Sequence, residues 1–197
     1  MQKKLIAEGI GTFALTLAVL SSINTDLQLI PTPVIAGLVL GLFVYSIGSV
    51  SGCHINPAVT AGLWSIKKIG SKEAVGYILA QLLGALVAYA VVALIYVNVS
   101  LGFDSESLTV FFAELFGMML FTFGIAAVVY GKVSDVASGL VIGGSLLGGI
   151  LIAVQLGSAG ILNPAVGLAV GTVSLSYILG SVVGAGLGMN IYKRFIS

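Results

Sequence analysis

The chain has 197 residues, of which 58% are hydrophobic and 8% are charged, and its formal net charge is +1. Soluble globular domains carry about 25% charged residues, so this composition excludes a water-soluble protein and predicts an integral membrane protein. The small net charge provides no basic surface for nucleic acid, so we expect no nucleic-acid partner.

Six apolar segments are long enough to cross ~30 Å of hydrocarbon as helices, which takes about 20 residues. In chain order they cover residues 5–23, 33–51, 74–97, 109–130, 136–155 and 174–192. Two further apolar segments, 56–66 and 163–171, are too short to span, and each begins with Asn-Pro. They predict re-entrant half-helices next to a cavity, because non-helical backbone at membrane depth must be satisfied there. The predicted fold is an all-α membrane protein with six transmembrane helices and two half-helices.

The basic residues all fall on one side of the six-span arrangement. They are Lys3, Lys4, Lys67, Lys68, Lys72, Lys132, Lys193 and Arg194. The opposite loops contain Asp26, Asp104 and Glu106 and no basic residue. By the positive-inside rule the basic side is the cytoplasm. We therefore expect a multi-pass protein of the plasma membrane with both termini in the cytoplasm.

The chain also consists of two halves that align with each other, about residues 1–98 and 108–197, within one channel domain over 1–197. For example, the sequence at 37–41 matches that at 139–143. Each half contains three spans, an odd number, so we expect the halves to have inverted orientations. Broken segments at corresponding positions of such repeats predict a site near the bilayer midplane.

The most specific signal is a pair of Asn-Pro-Ala boxes. They comprise Asn56, Pro57, Ala58, Asn163, Pro164 and Ala165. The segment 51–60, SGCHINPAVT, resembles the signature of the aquaporin, or major intrinsic protein, family, and with the six spans the resemblance covers essentially the whole chain. It implies a passive channel in the lipid bilayer for water or neutral solutes such as glycerol, ammonia, gases or metalloid hydroxides. It also implies a homotetramer.

The boxes suggest how such a channel excludes ions. Each half-helix begins near the midplane, so its free backbone N–H groups and the positive end of its dipole disfavour cations there. Each asparagine is either only a helix cap or also a donor to the solute, and the repeat favours the second role. The carbonyls of the segments before the boxes should line the conduit. They belong to Gly52, Cys53, His54, Ile55, Ala159 and Ile161.

Two glutamates lie within spans at matching positions. Glu8 precedes Asn56 by 48 residues, and Glu114 precedes Asn163 by 49. An ionisable residue at membrane depth suggests a function. We favour a loop-supporting role, in which the carboxylates accept N–H bonds from the broken loops, and the family resemblance implies the same. Proton relay or binding of a coupling cation is the alternative.

The predicted selectivity filter departs from the family. Many members carry an arginine directly after the second box, where this chain has Val166. Ungapped extension from the boxes places the other three walls at Ala36, Leu151 and Gly160. These residues offer no side-chain donor, charge or ring, and a dehydrated polar group without a partner costs roughly 1–3 kcal/mol. Selectivity should therefore shift away from water alone. The small residues Ala36 and Gly160 should widen the aperture, whereas Leu151 and Val166 should narrow it.

His54 and Cys53 are the single histidine and the single cysteine. No metal site, cofactor or enzyme is expected, because neither residue belongs to a ligand cluster or to a nucleophile–base set. His54 should pack its ring and fix loop carbonyls. Cys53 is either a small buried thiol or a conduit-facing one, in which case mercurials should block flux.

Three function classes are compatible with these features. A passive pore explains the paired half-helices and the repeat. A secondary transporter also uses broken helices, but it normally needs an ion site near them. A closed structural membrane protein would keep the fold while its apolar filter dewets.

Overall fold

The structure is a computed structural model that describes residues 1–25, 29–96 and 105–197. Asp26 and Asp104 lie outside these residues. The described part forms eight α-helices: α1 (Gln2–Ile23), α2 (Thr32–Ser51), α3 (Pro57–Ser65), α4 (Ser71–Ala93), α5 (Leu108–Val129), α6 (Asp135–Gln155), α7 (Pro164–Val170) and α8 (Leu175–Phe195). All except α3 and α7 are long and apolar enough to cross a membrane. The prediction of an all-α fold with six spans and two shorter helices is confirmed.

The half-helices α3 and α7 begin as the Asn-Pro pairs predict. Pro57 and Pro164 occupy the first helical turn, where a missing backbone N–H costs no hydrogen bond, and Asn56 and Asn163 precede them in extended backbone. α3 has 9 residues and α7 has 7. Both are therefore too short to cross a bilayer.

The long helices pair in a pattern that recurs in the two halves of the chain. In the first half α1 packs against α2 and α4, and in the second half α5 packs against α6 and α8. Contacts between α2 and α6 join the halves. Each half-helix also packs against the last long helix of the other half, α3 against α8 and α7 against α4. The two half-helices are thus held between the halves of the chain.

Glycines set the distance between α2 and α6. A Cβ atom added at Gly37 would lie 2.8 Å from the carbonyl oxygen of Gly143, and one added at Gly41 would lie 2.8 Å from that of Gly139. Real Cβ atoms do not approach backbone oxygens this closely, so a side chain at either position would push the helices apart. Small residues serve this purpose in packed transmembrane helices, and these four belong to the two segments that align between the halves.

The long helices carry large apolar side chains on their exposed faces. Examples are Leu38, Leu79, Leu83, Phe112 and Leu140. The carboxylates of Glu8 and Glu114, in contrast, belong to residues that are fully buried inside the bundle. An apolar exterior around a polar interior is the arrangement that a lipid environment requires.

Candidate functional site

The two asparagines of the boxes cap their own half-helices. The Asn56 Oδ1 atom accepts hydrogen bonds from the backbone N–H groups of Ala58 (2.8 Å) and Val59 (3.4 Å). In the second half of the chain the Asn163 Oδ1 atom accepts the corresponding bonds from Ala165 (3.1 Å) and Val166 (3.4 Å). Each bond satisfies a backbone donor that the start of a helix leaves free.

The same two asparagines also connect the loops across the centre of the molecule. The Asn56 amide nitrogen donates to the carbonyl oxygen of Leu162 at 2.8 Å, and that of Asn163 donates to the carbonyl oxygen of Ile55 at 3.0 Å. An asparagine amide nitrogen carries two hydrogens, so each retains one that these bonds do not use. Because both asparagines line the same cavity, the remaining hydrogens are available to a molecule inside it.

Glu8 holds the first loop in shape. Its Oε1 atom accepts from the Ser51 hydroxyl at 2.6 Å and from the His54 backbone N–H at 3.0 Å. Its Oε2 atom accepts from the Ile55 backbone N–H at 2.6 Å and from the Gln81 side-chain amide at 2.8 Å. These four donors occupy the usual acceptor sites of a carboxylate, so the contacts are those of a loop support.

Glu114 makes the corresponding contacts with the second loop. Its carboxylate accepts from the backbone N–H groups of Ile161 (3.0 Å) and Leu162 (2.7 Å), and from the hydroxyls of Ser158 and Ser181. This carboxylate is also saturated by four donors. The arrangement favours support of the loops over the alternative of a proton relay, for which a carboxylate must exchange its partners.

The loops contain backbone conformations that need such support. Cys53, Ile55 and Leu162 have positive φ angles of 51°, 38° and 49°, and none of them is glycine. A conformation of this kind costs on the order of 1–3 kcal/mol per residue and persists only where the surroundings enforce it. Hydrogen bonds from Ile55 to Glu8 and from Leu162 to Glu114 provide that enforcement.

A cavity of about 420 Å³ lies beside the two boxes. Its polar lining consists of Thr32, His54, Asn56, Asn163 and Thr172, and its remaining walls are apolar side chains and glycine. Among the described residues that line the cavity there is no aspartate, glutamate, lysine or arginine, and His54 has the only ionisable side chain. The site can therefore accept a small neutral molecule, and it places hydrogen-bond donors only at a few points.

The predicted pore-lining segments contribute unequally to this cavity. His54, Ile55, Ala159 and Ile161 line it. Gly52 and Cys53 lie outside it, where α2 ends. The His54 ring packs edge-on against Tyr77, with 5.0 Å between ring centroids, and its Nδ1 atom lies 3.1 Å from the Thr60 hydroxyl.

Three of the four predicted filter residues line the cavity, namely Ala36, Gly160 and Val166. Leu151 does not, and the prediction for this wall is wrong by one residue. Leu151 is 47% exposed on the outside of α6, whereas Ile150 is 7% exposed and faces the cavity. Leu146 and Val154, one turn away on either side of Ile150, line the cavity too, as a helical repeat requires.

The space beside Gly160 is already filled. A Cβ atom added to Gly160 would lie 2.9 Å from the Cγ2 atoms of both Ile150 and Val154, and the residue has a φ angle of +69°. The glycine therefore lets two branched side chains approach the loop closely. The space that a side chain at this position would need is thus occupied by Ile150 and Val154.

Serine and glutamine side chains complete the loop supports, and the sequence analysis missed them. Ser51 and Ser158 each precede their asparagine by five positions and donate to the glutamate of their half. That equal offset was available as a signal in the sequence. Gln81, which is fully buried in an apolar span, could have been recognised as a polar partner for Glu8.

Comparison with known proteins places these features in a family. The model of the family described as Major intrinsic protein matches residues 1–192. Nodulin-26 of Glycine max is 30% identical over 211 residues, with 97% of this chain and 77% of that protein covered. The X-ray structure of the aquaglyceroporin from Plasmodium falciparum superposes with a TM-score of 0.78 at 25% identity, covering 98% of this chain and 96% of that one.

Other relatives are matched over part of their length. Aquaporin AqpM of Methanothermobacter marburgensis is 42% identical over an alignment of 108 residues, with 43% of this chain and 44% of that protein covered. Aquaporin NIP1-1 of Arabidopsis thaliana is 31% identical over 183 residues, with 82% of this chain and 61% of that protein covered. The chain thus spans roughly half the length of these two relatives.

Proposed function

The chain belongs to the major intrinsic protein family, and on this premise we propose that it is a passive transmembrane channel for water and small uncharged solutes. The observation that carries this proposal is the crossed pair of asparagines. Each one caps a half-helix, binds the opposite loop and retains an amide hydrogen beside the cavity. Two half-helix N-termini that converge on this point disfavour cations, while a neutral molecule can accept hydrogen bonds from the unused amide hydrogens.

The solute class follows from the walls of the constriction, which we propose to be Ala36, Ile150, Gly160 and Val166. None of these residues has a side-chain donor or a charge. A solute that loses hydrogen bonds there pays roughly 1–3 kcal/mol for each polar group left without a partner. Glycerol has three hydroxyls and ammonia a single polar centre, so we expect ammonia and dissolved gases to pass more readily than glycerol. Because branched side chains fill the space at Gly160, size adds to this preference.

Orientation and assembly are part of the proposal. Lys4 forms an ion pair with Glu73, which lies in the first turn of α4. Lys68 lies over the ring of Tyr130, the residue that follows α5. Basic side chains therefore meet at one end of the bundle. The positive-inside rule supports a cytoplasmic position for this end and for both termini in the plasma membrane. We also propose that the two halves are inverted repeats of one domain and that the channel assembles as a homotetramer, as in the family that the sequence resembles.

Stopped-flow light scattering on proteoliposomes tests the proposal. The panel comprises water, glycerol, urea and ammonia, with protein-free liposomes as the background. We expect solute flux that rises linearly with the gradient without saturation. Saturable flux coupled to an ion would instead indicate a secondary transporter, and flux at the background level would indicate a closed structural protein.

The variant Val166→Arg tests the constriction in the same assay. An arginine here fills the cavity wall and adds donors and a positive charge, so passage of the larger solutes should fall by roughly tenfold, an effect of ~1.4 kcal/mol on the barrier. Val166→Leu is the matched control, because it adds volume without charge. Unchanged permeability of Val166→Arg to every solute would show that Val166 does not line the filter.

A further inference from the structure

A second cavity, of about 680 Å³, opens at the basic end of the bundle between α3 and α4. Its walls come from the last turn of α3, the connecting loop and the first turn of α4, and they include Trp64, Lys67, Lys68, Ser71 and Glu73. In the part of the chain that the structure describes, this cavity shares no lining residue with the cavity beside the boxes. The proposed channel function does not use it.

The charge of this cavity is positive. Lys67 and Lys68 contribute two ammonium groups, and the Lys68 Nζ atom is held 4.4 Å from the centroid of the Tyr130 ring. Among the described residues that line this cavity, Glu73 is the only acid, and its carboxylate is paired with Lys4 at 2.8 Å. The pairing offsets the negative charge and leaves both lysines of the lining uncompensated. An anion is therefore the complementary ligand.

Trp64 places the cavity at the depth of lipid headgroups. The residue is 52% exposed, and its indole Nε1 atom donates to the Ser71 hydroxyl at 2.9 Å. This bond fixes the ring between the end of α3 and the start of α4. Tryptophan is enriched where the hydrocarbon meets the headgroups, since its ring is apolar and its N–H is polar. One face of the site is thus suited to acyl chains and the other to a charged group.

We propose that this cavity binds the headgroup of an anionic phospholipid, with the phosphate next to Lys67 and Lys68 and the glycerol and upper acyl chain against Trp64. The bound lipid would brace α3. α8 also holds the end of this half-helix: the Asn190 side-chain amide donates to the Ser65 hydroxyl at 2.8 Å, and the Lys193 ammonium donates to the Ile66 carbonyl oxygen at 3.5 Å. Because the other end of α3 carries Asn56, the lipid would steady the helix that presents this donor to the conduit.

The protein provides its own probe, because Trp64 is the only tryptophan in the chain. The full chain is reconstituted in phosphatidylcholine bilayers that contain equal fractions of either brominated phosphatidylglycerol or brominated phosphatidylcholine. Bromine quenches tryptophan only at close range. We expect stronger quenching by the anionic lipid and a preference that weakens about fivefold when one lysine is removed. Equal quenching by the two lipids in the unmodified protein would overturn the proposal without the need for any variant.

Two variants with the same change of charge separate a specific site from general attraction. Lys67→Asn removes a charge from the cavity, and asparagine tolerates the φ angle of +65° found at this position. Lys132→Asn removes a charge from the same side of the protein but outside the lining. The proposal requires that the first variant lose the preference and the second keep it, and an equal loss in both would contradict it.

Inorganic phosphate distinguishes the source of the anion. The protein is reconstituted in bilayers of unbrominated phosphatidylcholine that contain brominated phosphatidylglycerol, and inorganic phosphate is then added. Competition is measured as a loss of the tryptophan quenching. We expect phosphate to leave the quenching by the anionic lipid unchanged. Displacement of the lipid by millimolar phosphate would show that the cavity takes free phosphate, and the assignment to a lipid would fail.

Discussion

The two loops that lead into the half-helices are built on one plan but lined differently. In the first loop the Cys53 backbone N–H donates to the Ser51 hydroxyl at 3.1 Å, and in the second the Gly160 N–H donates to the Ser158 hydroxyl, also at 3.1 Å. Both serines in turn donate to the buried glutamate of their half. The agreement extends to the crossed asparagines. Contacts that hold the backbone are therefore the ones that recur.

The side chains that form the walls do not recur. His54 of the first loop, which contacts the Thr60 hydroxyl, has the apolar Ile161 as its counterpart in the second. Cys53 has Gly160 as its counterpart, and at Gly160 the side chains of Ile150 and Val154 from α6 approach the loop closely. The carboxylate scaffold thus fixes the path of both loops and leaves the chemistry of each wall free to differ. Of the two loops, only the second contributes a residue, Gly160, to the proposed constriction.

The largest expected effect comes from removing the scaffold, with Glu8→Gln and Glu114→Gln compared side by side. Glutamine replaces one acceptor oxygen by an NH₂ group that faces other donors, so one backbone N–H group and one side-chain donor lose their acceptor in each variant. At about 1–3 kcal/mol for each buried unsatisfied group, either variant should lose ~2–6 kcal/mol of stability. The unfolding midpoint in detergent and the flux in liposomes measure the loss.

Equal losses in the two glutamine variants would support the equivalence of the loops. Asp135→Asn is the control, because Asp135 is an exposed carboxylate in the first turn of α6, outside both loops. Unchanged folding and flux of Glu8→Gln would count against the scaffold role, and the competing role in proton transfer would then deserve a test.

A smaller effect, and one restricted to the second loop, is expected from Gly160→Ala. The added methyl group would lie 2.9 Å from the Cγ2 atoms of Ile150 and Val154, and the φ angle of +69° disfavours any side chain. Overpacking costs typically 1–3 kcal/mol, so we expect lower stability and lower flux. Cys53→Ala, at the corresponding position of the first loop, should be nearly neutral because that position already holds a side chain at positive φ.

The double variant Gly160→Ala with Ile150→Ala checks the mechanism. Shortening Ile150 removes one of the two methyl contacts, so part of the lost flux should return. No recovery at all would mean that the backbone conformation, and not the contact with α6, makes glycine necessary at this position.

The sequence was sufficient for the fold and for the residues that act through the backbone. Apolar segment length predicts the six spans, and Asn-Pro pairs predict where α3 and α7 begin, because capping is a local property. The nearly equal distance from each glutamate to its asparagine, 48 and 49 residues, predicts the loop supports. Each of these features depends on neighbours in sequence or on a repeat, and so it can be read without coordinates.

The walls of the constriction could not be predicted as well. Counting back from the box gives Leu151, whereas the rotation of α6 about its axis brings Ile150 to the cavity. A difference of one residue turns a helical side chain by about 100°, so even a small error in loop length moves the prediction to the wrong face. Likewise, the filled space at Gly160 depends on packing between distant segments, which composition does not reveal.

A modest effect of pH on stability is expected from Glu106, which lies next to the start of α8 in the second half of the chain. The Glu106 carboxylate accepts bonds from the Ser176 hydroxyl at 2.6 Å and from the backbone N–H groups of Leu175 and Ser176 at 2.8 and 2.9 Å. These hydrogen bonds, above all that from the Ser176 hydroxyl, lower the pKa of Glu106. α4, the helix of the first half that corresponds to α8, starts at Ser71 without a side-chain cap.

The sign of this effect follows from the lowered pKa. The carboxylate contributes stability above the pKa of the unfolded chain, about 4.3, and this contribution is lost as the pH falls through the lower pKa of the folded protein. Unfolding midpoints measured between pH 7 and pH 3 should therefore fall more steeply for the unmodified protein than for Glu106→Gln. Parallel curves would show that the contacts to α8 add nothing to stability.

The smallest effect is expected for mercurials on the unmodified protein. Cys53 is 5% exposed and does not line the cavity, so a bulky mercury compound should reach its sulfur slowly and leave solute flux nearly unchanged. A variant with its cysteine in the second loop is the positive control. Ile161→Cys in a Cys53→Ser background places a thiol at a position that lines the cavity. Mercurials should block this variant and should spare Cys53→Ser alone. If the unmodified protein is blocked and Cys53→Ser is not, the sulfur of the first loop faces the conduit, and the difference between the two walls is smaller than the structure indicates.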